Sequence, residues 1–177
     1  MKEFQKKAVF LDRDGVINEE IGYFFKSEDF KFINGVLDSC KYFQSIGYIL
    51  IVITNQSGIA RGLYSEKKFN VLNDWMVNRF KLNGVNILDV FYCPHGPDSN
   101  CKCRKPEPGM FIEASKKYGI DMNSSWMIGD KETDIKAANR AGIRNTILVK
   151  SGHKIKPKLS SARFVLKSLK ETIEFIK

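Results

Sequence analysis

Two carboxylates one residue apart, Asp12 and Asp14, stand at the abrupt end of a short apolar run in the stretch AVFLDRDGVIN. An apolar run this short, followed by turn residues, reads as a buried parallel strand. Open α/β folds gather their ligands at the C-terminal edge of such strands. Charges buried there must be paired or bind a metal. Further strand ends deliver polar groups in chain order: Thr54, then Arg104 and Lys105, then Asp130. Asp12, Asp14 and Asp130 could share a hard cation such as Mg²⁺ through oxygen ligands. Asp12 could then attack a phosphorus atom, because the metal holds the phosphate and screens its charge. Asp14 could protonate the leaving oxygen and later deprotonate water. Lys105 would neutralise one non-bridging oxygen, and Thr54 would donate a hydrogen bond to another. The chemistry is phosphoryl transfer through an aspartyl-phosphate.

A second constellation lies just before Lys105. Cys93, His95, Cys101 and Cys103 fall within one Pro- and Gly-containing loop, CPHGPDSNCKC. Three thiolates and one imidazole complete a tetrahedral zinc set with no open position, so the site is structural. It would hold Arg104 and Lys105 at the mouth of the catalytic site. Arg104 offers a bidentate fork for a second phosphate or a hydroxyl-rich substrate. Cys40 falls on a helical apolar stripe and reads as core. His153, in a Ser-Gly-His loop, reads as a surface residue.

The elements that must position these groups alternate along the chain. Strands are expected at Lys7–Leu11, Tyr48–Ile53, Ile87–Tyr92, Ser125–Ile128 and Thr146–Val149, with an edge strand at Phe164–Leu166. Helices are expected at Val36–Ile46, Ser65–Leu82, Pro108–Tyr118 and Thr133–Ala141, with a terminal helix at Lys170–Ile176. Ser65 is a fitting N-cap, and Gly47, Gly119 and Gly142 act as stops. Asn18 to Lys31 reads as an ordered loop or small hairpin beside the site. Strict alternation of this kind predicts a Rossmann-like parallel sheet with helices on both faces. No stretch is long enough for a large cap domain. Residues 1–177 are expected to form a single domain, with the site fairly open and the protein a monomer.

The chain has 177 residues and a formal net charge of +9, which favours anionic partners such as phosphorylated metabolites. Lysines at Lys2, Lys6, Lys7, Lys154, Lys156 and Lys158 read as exposed loops and termini. They are not interleaved with aromatics as in a single-strand nucleic-acid groove. The first apolar run stops at Asp12, too early for a signal peptide, and Tyr48–Ile53 is too short to span a bilayer. The expectation is a cytoplasmic protein with neither a membrane nor a nucleic-acid partner. Clustered cysteines in a reducing compartment favour metal over disulfides.

The motifs DRDGVIN, ITN, RKP and GDKETD occur in the order and at the strand ends that define the haloacid dehalogenase superfamily, and residues Ala8 to Val149 resemble it. The resemblance implies the roles above, with Asp14 meeting Mg²⁺ through its backbone carbonyl. It adds Asp134 as a residue orienting Lys105 or a metal-bound water. The zinc loop before RKP, together with NQSGIARG, CRKPEPGM and GDK, resembles the group within that superfamily that acts on heptose bisphosphates and histidinol phosphate. The first implies removal of the C7 phosphate of D-glycero-D-manno-heptose 1,7-bisphosphate, for nucleotide-heptose and lipopolysaccharide synthesis. The short insert between His95 and Cys101 is more like a histidinol-phosphate phosphatase, which stands as the alternative; the heptose bisphosphate is the favoured reading, because three separate stretches agree on it and only this loop length disagrees. By matching positions, Glu20, Ile21, Gly22 and Tyr23 would line the sugar site. Asn55, Gln56 and Ser57 would face the substrate, and Arg104 and Lys131 would grip its distal end. A reading from another class is a zinc-stabilised nucleic-acid-binding module without catalysis, against which the catalytic positions are all intact.

Overall fold

The structure is a computed structural model that describes residues 5–154 and 159–177. Lys2, Lys156 and Lys158 lie outside the described residues. Six strands form one parallel sheet: β1 (Ala8–Leu11), β2 (Ile49–Asn55), β3 (Ile87–Cys93), β4 (Trp126–Gly129), β5 (Asn145–Val149) and β6 (Phe164–Leu166). Their order is β3-β2-β1-β4-β5-β6, so the strand carrying the aspartate pair is central. Among the described residues, four α-helices join the successive strands from β1 to β5: α1 (Val36–Ser45), α2 (Glu66–Leu82), α3 (Gly109–Tyr118) and α4 (Glu132–Arg140).

Strand periodicity divides the core into two layers. On β1, Val9 and Leu11 face one cluster with Val36, Cys40 and Phe43 of α1 and Leu72, Met76 and Phe80 of α2. Ala8 and Phe10 face the other, with Met110, Phe111 and Ala114 of α3 and Ala137 and Ala138 of α4. Successive residues of a strand point to opposite faces, so a continuous apolar run serves a sheet covered on both sides. The chain begins β1 one residue later than expected and carries β2 two residues further, so that Thr54 and Asn55 belong to the strand itself. Cys93 closes β3, which anchors the cysteine loop to the sheet. Ser65 caps α2 by accepting from the Lys68 amide at 3.2 Å.

The loop after β1 folds as a hairpin-like strap. Glu19 donates to the Lys31 carbonyl at 2.9 Å, Asn18 bridges to Phe32, and Ser27–Asp29 make a 3-10 turn. Aromatic contacts fasten it to α2: Phe30 to Trp75 at 5.4 Å and Phe32 to Phe80 at 5.3 Å. The expected terminal helix at Lys170–Ile176 is instead a 3-10 helix over Leu169–Glu174. Leu169 and Thr172 are buried, while Phe164 of β6 packs on Phe175.

Candidate active site

A cavity of about 390 Å³ opens where β1, β2 and β4 end. Lys105 sits at its floor. Its ammonium lies 2.9 Å from Asp12 Oδ1 and 2.7 Å from Asp134 Oδ1, and donates to the Ile53 carbonyl at 2.8 Å. The Ile53 carbonyl takes a hydrogen bond from it, and the two carboxylates pair with its charge. Those partners tie the ends of β1, β2 and α4 to one buried cation. Asp134 also accepts from the Lys131 amide at 3.0 Å, which caps α4. The orienting role expected of Asp134 toward Lys105 thus has direct geometry. Lys105's own backbone is held by Asn55, which donates to its carbonyl and accepts from its amide, each at 3.1 Å.

Asp12 and Asp14 face different surroundings. Burial raises the Asp12 carboxyl to about 6, the negative charge of Asp134 adds to that, and Lys105 opposes both. Asp14 is half-buried; desolvation works upward on it, but the Arg13 guanidinium and hydrogen bonds from Asn18 and Gln56 hold its carboxyl below the ordinary value. Arg13 reaches Asp14 Oδ1 at 2.7 Å and Oδ2 at 2.9 Å, Asn18 reaches Oδ1 at 3.0 Å, and Gln56 reaches Oδ2 at 3.1 Å.

Asp12, Asp130 and Asp134 each offer a carboxylate oxygen within 4.8 Å of the others, a donor set suited to a hard divalent cation. Asp130 Oδ1 is buried without a hydrogen-bond partner, as expected of an oxygen reserved for a metal. Asp130 is drawn upward by burial and by the charge of Asp12. Gly15, at φ +83°, has no room for a Cβ, which would strike Asp130 Oδ2. The carboxylate of Asp14 is not in this group, because its oxygens are committed to Arg13, Asn18 and Gln56. A contribution by Asp14 to the metal is therefore left to its backbone.

Most of the expected substrate residues reach the cavity: Glu20, Gly22, Tyr23, Asn55, Gln56, Ser57, Arg104 and Lys131 line it with Thr54. Ile21 does not; it points outward and is 52% exposed, since Glu20 accepts from the Gly22 amide and turns the strap there. Asn55 and Gln56 line the wall, but their amides are spent within the protein. Gln56 donates to Thr54 Oγ1 at 2.9 Å and accepts from Tyr64 at 2.7 Å. Thr54 thereby keeps its own hydroxyl proton to donate. Gly58 leaves space for the Tyr64 ring, which a Cβ would strike.

His153 is not a free surface residue. Its ring Nδ1 lies 2.6 Å from Asp130 Oδ2 and 3.7 Å from Glu20, and its amide donates to the same Asp130 oxygen at 3.0 Å. Tyr64 and Thr133 also line the cavity unforeseen. For His153 the available signal was its place just past β5, on the same sheet edge as the other polar strand ends.

Cys93, His95, Cys101 and Cys103 come together with ligand atoms within 4.8 Å of one another. The Cys93 and Cys103 sulfurs are 2.9 Å apart, and His95 Nδ1 is 3.3 Å from Cys103, a tight set converging on one centre. Arg104 donates to the His95 carbonyl at 3.1 Å.

Residues 102–172 match the HAD-hydrolase-like family model. A relative from Photorhabdus laumondii, named D-glycero-alpha-D-manno-heptose-1,7-bisphosphate 7-phosphatase, is 51% identical over 86% of this chain and 87% of its own length. The chain belongs to the heptose-bisphosphate phosphatase family of haloacid dehalogenase-like hydrolases. The same organism's D-glycero-beta-D-manno-heptose-1,7-bisphosphate 7-phosphatase is 42% identical over 96% of this chain and 95% of its own. A crystal structure of D,D-heptose 1,7-bisphosphate phosphatase from B. bronchiseptica, complexed with magnesium and phosphate, superposes with a TM-score of 0.84. It is 31% identical and covers 96% of this chain and 97% of that one. Among the described residues no helix is long and apolar enough to cross a membrane.

Proposed function

We propose that this family member hydrolyses the C7 phosphate of D-glycero-D-manno-heptose 1,7-bisphosphate and leaves the C1 phosphate in place. The observation that carries this reading is the 51% identity to a relative named as a 7-phosphatase of that sugar. Between the anomers the α form is the proposed substrate, because identity to the β-named enzyme of the same organism is 42%. The reading takes residues 1–177 as one phosphatase domain, acting as a cytoplasmic monomer on a diffusing sugar phosphate.

In the first half-reaction an Asp12 carboxylate oxygen bonds to phosphorus as the bond from phosphorus to the sugar oxygen breaks. Asp14 gives that oxygen its proton. The resting Asp14 is a carboxylate, so it acquires the proton on binding, when the substrate's negative charge raises its proton affinity. In the second half-reaction Asp14 takes a proton from water as the water oxygen bonds to phosphorus. The Asp12–phosphorus bond breaks and releases phosphate. Lys105 orients the Asp12 oxygen and stays beside the anionic phosphoryl group, while the Thr54 hydroxyl donates to it. Asp12, Asp130 and the backbone of Asp14 would hold Mg²⁺, which when bound supplies positive charge to position the phosphoryl group and offset its oxygens. Cys93, His95, Cys101 and Cys103 would hold a structural Zn²⁺. Arg104 and Lys131, both on the cavity wall, suit the distal phosphate, and Glu20 and Tyr23 the sugar.

Phosphate release from both heptose bisphosphate anomers, from histidinol phosphate and from simple alkyl phosphates tests this. The α-anomer is expected to give the highest kcat/KM. Faster turnover of histidinol phosphate would replace the substrate assignment.

The pH dependence follows from Asp12, whose carboxyl lies at about 6 through burial and Asp134. Only the ionised form attacks phosphorus, so at limiting Mg²⁺ the rate should fall as pH drops through about 6. Saturating Mg²⁺ should move this acidic limb to lower pH, because an adjacent cation favours the carboxylate. Rate profiles at two Mg²⁺ concentrations check it, and a limb that stays in place would contradict it.

A further inference from the structure

Between the two aspartates stands Arg13, whose side chain is fully inside the protein at 2% exposure. A buried guanidinium costs several kcal/mol of desolvation, and replacing such a pair with apolar groups is often neutral or stabilising. Stability alone is therefore a poor reason for it. Its contacts are specific. Nη2 reaches Asp14 at 2.7 and 2.9 Å, and Nε reaches the same carboxylate at 3.2 Å. The guanidinium carbon lies 5.2 Å from the Phe24 ring centre and 5.7 Å from that of Phe69. Phe69 belongs to α2. Phe24 belongs to the strap whose Glu20, Gly22 and Tyr23 line the cavity, and it packs on Phe30 at 6.0 Å. Arg13 Nη1 is buried with no hydrogen-bond partner, so the cation is held by one carboxylate and two aromatic faces.

We propose that Arg13 is a positioning residue: clamped between Phe24 and Phe69, it fixes the rotamer of the Asp14 carboxylate and ties that carboxylate to the substrate-lining strap. This rests on Asp14 being the proton donor to the leaving oxygen. Asn18 and Gln56 each give Asp14 one neutral hydrogen bond, whereas the Arg13 guanidinium meets both oxygens, with Nη2 on Oδ1 and Oδ2 and Nε on Oδ1. A carboxylate that can rotate meets the leaving oxygen in proper geometry less often.

The test is leaving-group dependence. An alkyl phosphate has a poor leaving group and needs the proton, whereas p-nitrophenyl phosphate expels a stable anion without it. Values of kcat/KM report steps only through phosphoryl transfer, so hydrolysis of the aspartyl-phosphate does not intrude. Arg13→Gln is expected to lower kcat/KM by about 30-fold on the heptose bisphosphate and by less than about 3-fold on p-nitrophenyl phosphate. Arg13→Lys, which keeps the charge and loses the fork, should fall between the variant and the parent. Equal losses on both substrates, or no loss, would overturn the proposal. Should Arg13→Gln fail to fold, Phe24→Leu decides instead: it keeps Arg13 and loosens the clamp. The same bias at smaller size supports positioning, and its absence overturns it. Asp14→Asn run alongside separates the two layers. A leaving-group bias there with none in the Arg13 series rejects Arg13 alone, and no bias in Asp14→Asn rejects the acid assignment and Arg13 with it.

Discussion

Replacing Asp12 with Asn is expected to cut turnover by about 10⁴-fold or more while the protein remains folded and becomes more stable without added Mg²⁺. The loss follows because an amide oxygen cannot form and release the aspartyl-phosphate. The gain comes from electrostatics. Asp12 is 6% exposed, and burial together with Asp134 lifts its carboxyl from 3.8 to about 6 in the folded protein. A raised folded value means the ionised group costs stability above its unfolded value, and the cost is full once pH exceeds the folded one. At neutral pH that cost is about 2–3 kcal/mol. The amide avoids it and can still accept from Lys105, which also keeps Asp134 at 2.7 Å and the Ile53 carbonyl at 2.8 Å. A less intimate ion pair offsets part of the benefit, so a net gain of about 1–2 kcal/mol is expected. Urea unfolding of both proteins at pH 7.5 without added Mg²⁺ measures it. Residual phosphate release within tenfold of the parent would remove Asp12 from the nucleophile role.

Breaking the cysteine cluster with Cys103→Ser is expected to act on both stability and substrate handling. The cluster ties Cys93, at the end of β3, to the segment that enters α3, where the Gly109 amide donates to the Lys102 carbonyl at 3.0 Å. A metal bond closing residues 93–103 restrains the unfolded chain as a short disulfide loop does, a contribution of about 3 kcal/mol. For a chain of this size that corresponds to a melting temperature lower by about 6–12 °C. Catalysis should suffer mostly in KM. Arg104 is positioned by the His95 carbonyl and so moves with the loop, whereas Lys105 is held independently by Asn55, Asp12 and Asp134. The expected change is a rise of about tenfold or more in KM and little in kcat. Bound zinc by colorimetric release, melting curves and initial rates check each part. Full zinc content in the variant, or a loss confined to kcat, would contradict the structural role.

Local sequence determined a good deal of this protein. The run Ala8 to Leu11 had to be a strand buried on both faces, and Asp12 and Asp14 had to emerge from its end. Alternating apolar runs with Gly and Ser punctuation determined the parallel sheet and its helices. The spacing of Cys93, His95, Cys101 and Cys103 within one loop determined that they could meet. All of these depend on neighbours in the chain, where strand and helix periods place side chains by geometry alone. Tertiary structure decided the rest. It turned Asn55 and Gln56 inward to brace Lys105, Thr54 and Asp14, sent Ile21 to solvent, and brought His153 onto Asp130. Above all it split the aspartate pair, with Asp12 facing Lys105, Asp134 and Asp130, and Asp14 gripped by Arg13. Those assignments depend on which strand ends and loops lie side by side, and the partners are often dozens of residues apart. Adjacent positions in a sequence carry the same residue type into quite different fields once burial and neighbouring charges are set.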